Sequence, residues 1–285
     1  MKKWIFASLW AMALLTACNL EQEIDIDLPA YDERPVLEAY IEPGERYRLL
    51  LTRSAGYFDP LPTLDNFLES LLLDSAEVSI THDGVTHVLN NSLAFNPETQ
   101  KIYNYISSSD EIVPFESGLP FELNVTLPSG RTIVAETRLL PRVEIDSVVI
   151  EFPETNEPED TLARALTYFS DDPNTGNHYR RTLHLNSLDS IPQQDFVTDD
   201  RLVEDSTIAF GTGFDFAQGD TLITTLYHIS EEYATFLESV DGAAAANGNP
   251  FGQPSPVISN LEGTANALGV FAGVVRDRRI DIVTR

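Results

Sequence analysis

Between Arg34 and Thr137 apolar side chains recur at every second position, in runs broken by Pro, Gly, Asp and Asn. A period of two gives an extended chain one apolar and one polar face, which excludes a helical bundle for this half of the protein. Pro35–Ile41 and Tyr47–Thr52 read as strands joined by a turn at Pro43-Gly44. Ala76–His82 and Val85–Leu89 flank Asp83-Gly84, a dipeptide that favours two-residue hairpin turns. Lys101–Ser107, Phe121–Leu127 and Arg131–Thr137 continue the series, the last two separated by Pro128-Ser129-Gly130. Asn66–Leu73 is expected to be a loop with one helical turn. Short strands at regular spacing predict an antiparallel β-sandwich over residues 34–140, Ig-like or transthyretin-like.

A second β-rich domain with one prominent helix is expected over residues 141–285, starting at Pro141-Arg142. Its expected strands are Val143–Phe152, Leu162–Tyr168, His178–Asn186, Asp195–Thr198, Ser206–Phe210, Thr221–His228 and Leu268–Val275. The helix spans residues 230–246. Ser230 is its N-cap, Glu231 and Glu232 sit where the helix dipole favours anions, and Tyr233, Phe236, Leu237 and Val240 form its apolar stripe. Residues 249–260, rich in Gly, Pro, Ser and Asn, read as ordered loop.

The N-terminus reads as an address. Lys2 and Lys3 precede an apolar run from Trp4 to Leu15. That run is too short for a bilayer core of about 30 Å and the right size for the h-region of a signal peptide. Leu15-Thr16-Ala17-Cys18 resembles a bacterial lipobox, so cleavage between Ala17 and Cys18 and lipid attachment at Cys18 are expected, with residues 1–17 as signal peptide. Cys18 is the only cysteine, which rules out an intrachain disulfide and a thiolate metal site. Residues 18–33 then form an acidic tether and a first strand, with Ile24, Ile26 and Leu28 alternating against Glu23, Asp25 and Asp27. The position that marks inner-membrane retention in enterobacterial lipoproteins is not Asp here. The acidic stretch resembles the export mark of surface-displayed Bacteroidota lipoproteins, so an outer-membrane, surface-exposed location is expected. With 45 acidic against 18 basic residues the chain carries −27, a charge that repels phosphate backbones and excludes nucleic acid as a partner.

The sequence holds no H-E-x-x-H, no G-x-S-x-G and no phosphate-binding loop, so no catalytic residue is assigned. His178 and His184 fall on one face of a strand but about 20 Å apart, too far to share a metal. His82 and His87 read as exposed histidines beside a hairpin turn. Asp171, Asp172 and Asn174 lie in a polar segment ending at Asn177. Two readings stay open for it: a weak Ca²⁺ site, or a tight turn in which Gly176 takes a positive φ. No other cofactor is expected. Tyr57, Phe58 and Phe251 lie among Pro and Gly in loops and are candidates for ligand or partner contact, whereas Phe271 is expected to plug an end of the sandwich.

Several segments together resemble one family. They are I-D-I-D-L-P at Ile24–Pro29, P-V-L-E-A-Y-I at Pro35–Ile41, L-T-R-S-A-G-Y-F-D at Leu51–Asp59 and F-S-D-D-P-N-T-G-N-H-Y at Phe169–Tyr179. N-P-F at Asn249–Phe251, S-N-L-E-G at Ser259–Gly263 and A-L-G-V-F-A-G at Ala267–Gly273 complete the set. In order and spacing they are similar to the Bacteroidota lipoproteins grouped as domain of unknown function forty-two forty-nine. Thr264-Ala265-Asn266 departs from the family's closer spacing of the late glycines. The resemblance implies an outer-membrane lipoprotein that assists a TonB-dependent barrel receptor in nutrient capture, without an established reaction or ligand. A stand-alone surface module binding oligosaccharide or peptide, and a hydrolase built on carboxylates of Phe169–Tyr179, remain as alternatives.

Overall fold

The computed structural model describes residues 32–56, 66–115, 118–154, 161–172, 174–201, 206–246 and 255–285. The first half supplies seven strands: β1 (Pro35–Ile41), β2 (Arg48–Arg53), β3 (Glu77–His82), β4 (Val85–Asn96), β5 (Lys101–Ile106), β6 (Pro120–Thr126) and β7 (Thr132–Arg138). A five-residue helix, α1 (Phe67–Leu71), lies between β2 and β3. The turns follow their sequence signatures. Asp83 and Gly84 both take positive φ, 49° and 75°, as the β3–β4 hairpin requires. At the β1–β2 turn Pro43 precedes Gly44 at φ 82°, and Glu45 N donates to the Glu42 carbonyl at 3.1 Å.

These strands do not divide into the two sheets of the expected sandwich. With β14 (Leu268–Gly273) they form one eight-stranded sheet ordered β14-β1-β2-β5-β4-β3-β6-β7. The reason lies in β4. Its first residues pair with β3 and its last with β5, with a register shift between Asn91 and Ala94. A bulge bends a strand, so one sheet folds over where a sandwich would need two. Its outer strands then approach each other: Gly273 N donates to Thr137 Oγ1 at 2.8 Å, and Val134 and Glu262 exchange backbone hydrogen bonds at 2.8 and 2.9 Å. The sheet is nearly closed around Leu37, Leu49, Ile80, Leu123, Ile133 and Phe271.

Strand β14 pairs in parallel with β1, whereas the other pairings of this sheet are antiparallel. Phe271 faces the inside of the sheet, while Val270, Ala272 and Val274 pack with Tyr40, Tyr233 and Phe236 outside it. Burial on both faces is why this segment is a continuous apolar run instead of an alternating one.

The second half opens with β8 (Ile145–Glu151), near the expected start at residue 141. It forms a three-stranded sheet with β9 (Arg164–Ser170) and β12 (Thr207–Gly211), ordered β12-β9-β8. A four-stranded sheet ordered β11-β10-β13-β15 combines β10 (His178–Leu185), β11 (Gln194–Asp199), β13 (Thr221–Ile229) and β15 (Val275–Ile282). Helix α2 (Glu231–Ala246) follows β13. Its cap is as expected, with Tyr233 N donating to Ser230 Oγ at 3.3 Å. Tyr233 and Phe236 are buried, but Val240 is 37% exposed and leaves the expected stripe. Since β14 returns to the first sheet, residues 33–285 form one compact unit. The expected run Leu268–Val275 breaks after Gly273, and its continuation β15 was not expected, because five of its eight residues are Arg or Asp, four of them consecutive at 276–279.

Two apolar clusters lie between the smaller sheets. One holds Phe169, Tyr179 and Leu226, the other Ala165, Leu183 and Leu222. At the intervening alternate positions sit Thr167, Arg181 and Thr224, each buried to 0% exposure. Arg181 Nη1 donates to Gln194 Oε1 at 3.1 Å, but Nε, Nη2 and both threonine hydroxyls have no hydrogen-bond partner. Burial alone pulls the Arg181 guanidinium down to about 10.

Two outcomes follow from this packing. A Cβ on Gly269, at φ 123°, would stand 1.9 Å from the Leu37 carbonyl oxygen, so Gly269→Ala is expected to cost about 3 kcal/mol or more in urea unfolding. Arg181→Met removes a buried charge without a counter-ion and is expected to raise stability by about 1–4 kcal/mol in the same assay.

Candidate functional site

The face of β10 that turns away from the small-sheet core carries Arg180, Thr182 and His184. The strand register sets Tyr227 and Thr225 beside them on β13, then Arg276 and Arg278 on β15. Opposite lie Glu38 and Tyr40 of β1, Glu42 just beyond its end, and the β4–β5 turn, with α2 closing one side. The space between is a cavity of about 440 Å³, within the size range of small-molecule sites.

The cavity is apolar in its depth and ionic at its walls. Tyr40, Tyr103 and Tyr233 are buried, and the Tyr40 and Tyr233 rings lie 5.7 Å apart. Burial, then the neighbouring Tyr233, holds the Tyr40 phenol well above its ordinary value, and burial pushes Tyr233 up to about 12. Both are therefore neutral hydroxyls at physiological pH. Burial followed by the charge of Arg278 lowers His184, so its imidazole is neutral too.

The ionic side chains are matched to one another. Lys101 Nζ pairs with the Glu38 carboxylate and donates to Tyr40 Oη at 3.0 Å. Arg180 grips Asp195 through two hydrogen bonds of 2.7 and 2.6 Å and donates to Tyr233 Oη at 3.2 Å. Burial opposes the Arg180 charge most strongly, but the Asp195 hydrogen bond and charge, together with the Tyr233 and Tyr227 phenols, outweigh it and raise the guanidinium. Arg276 lies 2.6 Å from Glu98 and 3.6 Å from Glu42, and Arg278 also pairs with Glu98. Burial opposes the Glu98 charge as well, yet the Arg278 hydrogen bond and the Arg276 charge keep its carboxyl below the usual range.

The residues singled out from the sequence lie elsewhere. Cys18, Ala17, Tyr57, Phe58 and Phe251 lie outside the described residues. Asp171, Asp172 and Asn174 occupy the β9–β10 turn and do not line the cavity. Asp172 accepts from Asn174 N at 3.0 Å and Asn174 Nδ2 at 2.9 Å, while Asp171 accepts from Asn177 Nδ2 at 3.0 Å and from Tyr179 Oη. The two carboxylates thus serve different local donors. Among the described residues no group of three His, Cys, Asp or Glu could hold a metal ion. Gly176 does not take the expected positive φ, because Asp172 side-chain and backbone oxygens close the turn by themselves.

The two hairpin histidines also differ from expectation. His82 is buried, stacked 3.8 Å from Phe121 with Nδ1 3.0 Å from the Pro120 carbonyl oxygen. His87 is partly buried, stacked on Tyr47 and paired with Glu111 at 2.9 Å. Both lie on the core side of the pleat, since His87 opposes Ile80 and Ile80 shares its face with His82. Phe271 is fully buried, but within strand β14 in the core of the large sheet and not as a plug at an end of a sandwich.

The observations define a mostly β protein of several sheets, with a cavity where the sheets and α2 meet. The chain belongs to the family described as Domain of unknown function (DUF4249), whose model matches residues 21–280. No functionally curated protein matches it.

The Glu98 pairs give the site a measurable pH signature. Its folded carboxyl is lowered, so its contribution is complete above the unfolded glutamate value of about 4.3 and is lost as pH falls through the lower folded value. Glu98→Gln is expected to cost about 1.5–3 kcal/mol at pH 7 and to flatten the fall in stability below pH 5, read by urea unfolding at several pH values.

Proposed function

We propose that this protein is a non-enzymatic binding lipoprotein of the outer membrane, anchored by lipid on Cys18 and facing outward. It captures a small ligand and hands it to a TonB-dependent barrel receptor. The observation that carries the binding role is the cavity of about 440 Å³ with tyrosines in its depth. Its carboxylates are each engaged by a cation, which suits holding a ligand. The anchor rests on Leu15-Thr16-Ala17-Cys18 at the end of the apolar run. One acyl chain binds a membrane only marginally, whereas two or three hold a protein there. The acidic segment behind Cys18 supports both a solvated tether and an outward address. The receptor partnership rests on the family resemblance.

Two measurements on one preparation test this reading. Cys18→Ser is expected to move the chain from the membrane fraction to the soluble fraction and to abolish labelling by a fatty-acid analogue. Affinity purification of the unaltered chain from gently solubilised membranes is expected to recover a barrel protein. Sedimentation of Cys18→Ser with the envelope would overturn the anchor, and repeated recovery of the chain alone would overturn the partnership.

A further inference from the structure

The charged side chains lining the junction cavity are each matched by an opposite charge, Glu38 by Lys101, Asp195 by Arg180, and Glu42 and Glu98 by Arg276. An ionic ligand would have to pull one of these pairs apart and leave a half-buried charge behind, which is unfavourable. A neutral hydroxyl faces no such obstacle. It can donate to the carboxylate of a pair while the adjacent hydroxyl accepts from the cation, so neighbouring hydroxyls fit a pair without separating it. Two such pairs, Arg180–Asp195 and Lys101–Glu38, both line the cavity. The half-buried Tyr227 ring lies beneath the Arg180 guanidinium at 5.7 Å and presents an aromatic surface to the same space. Ile191, 78% exposed, forms an apolar part of the rim. Aromatic faces flanked by fixed donors and acceptors suit a ligand with one apolar face and a hydroxylated edge.

We infer that the junction cavity binds a neutral saccharide, packed on Tyr227 and hydrogen-bonded across the Arg180–Asp195 and Lys101–Glu38 pairs. This ligand class rests on the binding role proposed above. An acidic sugar meets a carboxylate of each pair without a free cation, and a zwitterionic peptide meets the same pairs with both of its termini charged. The neutral polyol is the class that leaves the cavity's ion pairs intact.

The test is isothermal titration of the full chain in a polyoxyethylene detergent, whose head group carries no sugar. The probes are maltose, cellobiose, xylobiose, glucuronate and the dipeptide Ala-Tyr. At least one neutral disaccharide is expected to bind saturably and more tightly than glucuronate or Ala-Tyr. Tyr227→Ala and Asp195→Asn are each expected to weaken it by about tenfold. Ile191→Glu changes only an exposed rim residue, so folding is not at stake, and it is expected to weaken binding about threefold. The inference is overturned if no neutral sugar binds, if Ala-Tyr or glucuronate binds more tightly than every neutral sugar, or if affinity survives all three substitutions. Barrel recovery is scored separately. Its persistence without sugar binding would sink the ligand class alone, and its loss with sugar binding intact would sink the receptor partnership alone.

Discussion

The parallel pairing of β14 with β1 is the constraint on which the rest of this molecule depends. It brings the last part of the chain back to the first strand, with Val36 opposite Leu268 and Ile41 opposite Gly273. Gly269 leaves room for the β1 backbone, since a Cβ there would stand 1.9 Å from the Leu37 carbonyl oxygen, and Gly273 leaves room for β7, since a Cβ there would stand 2.1 Å from the Arg138 carbonyl oxygen. That single docking closes most of the gap between the outer strands of the large sheet. It also presents Val270, Ala272 and Val274 to α2, and β15 begins directly afterwards at Val275. The position of the charged strand, and hence of one wall of the cavity, follows from where β14 ends.

Alternation along β1 then sorts two kinds of chemistry. Leu37, Ala39 and Ile41 enter the closed core, while Glu38, Tyr40 and Glu42 face the second sheet. Two carboxylates on a largely buried surface are tolerable only with cations in reach. Lys101, Arg48 and Arg276 supply them, from β5, β2 and β15. Here the exposed pairs contribute little energy and the half-buried ones contribute mainly geometry.

Much of the fold was legible where one local rule sufficed. Pro43-Gly44, Asp83-Gly84 and the Ser230 cap each fixed an element from a few neighbouring residues. The sandwich failed because strand pairing is non-local, and a single bulge at Asn91–Ala94 decides whether β4 ends one sheet or bends through it. Strand β15 was hidden because its Arg276 and Arg278 are neutralised by Glu98 and Glu42, more than 170 residues away. The cavity was illegible for the same reason. Arg180, Thr182 and His184 showed the alternation of a strand face, but nothing local said that Glu38, Lys101 and Tyr40 would stand across from it. Phe251 stood out by the composition of its loop, whereas Tyr233, which lines the cavity from α2, read as part of that helix's apolar stripe.

The surface and the cavity divide the work of discrimination. A charge of −27 repels anions at long range and attracts cations, with a reach of about 8 Å at physiological ionic strength. Inside the cavity each carboxylate has a cation within a few ångströms, so the field of a pair decays as a dipole and a ligand feels it only on contact. An anion is therefore turned away before it arrives, and a cation that arrives finds every carboxylate already engaged. A neutral molecule is indifferent to the outer field and meets the cavity on shape and hydrogen bonding alone. A neutral ligand bound on those terms depends little on the ionic strength of the solution, whereas a charged one would depend on it strongly.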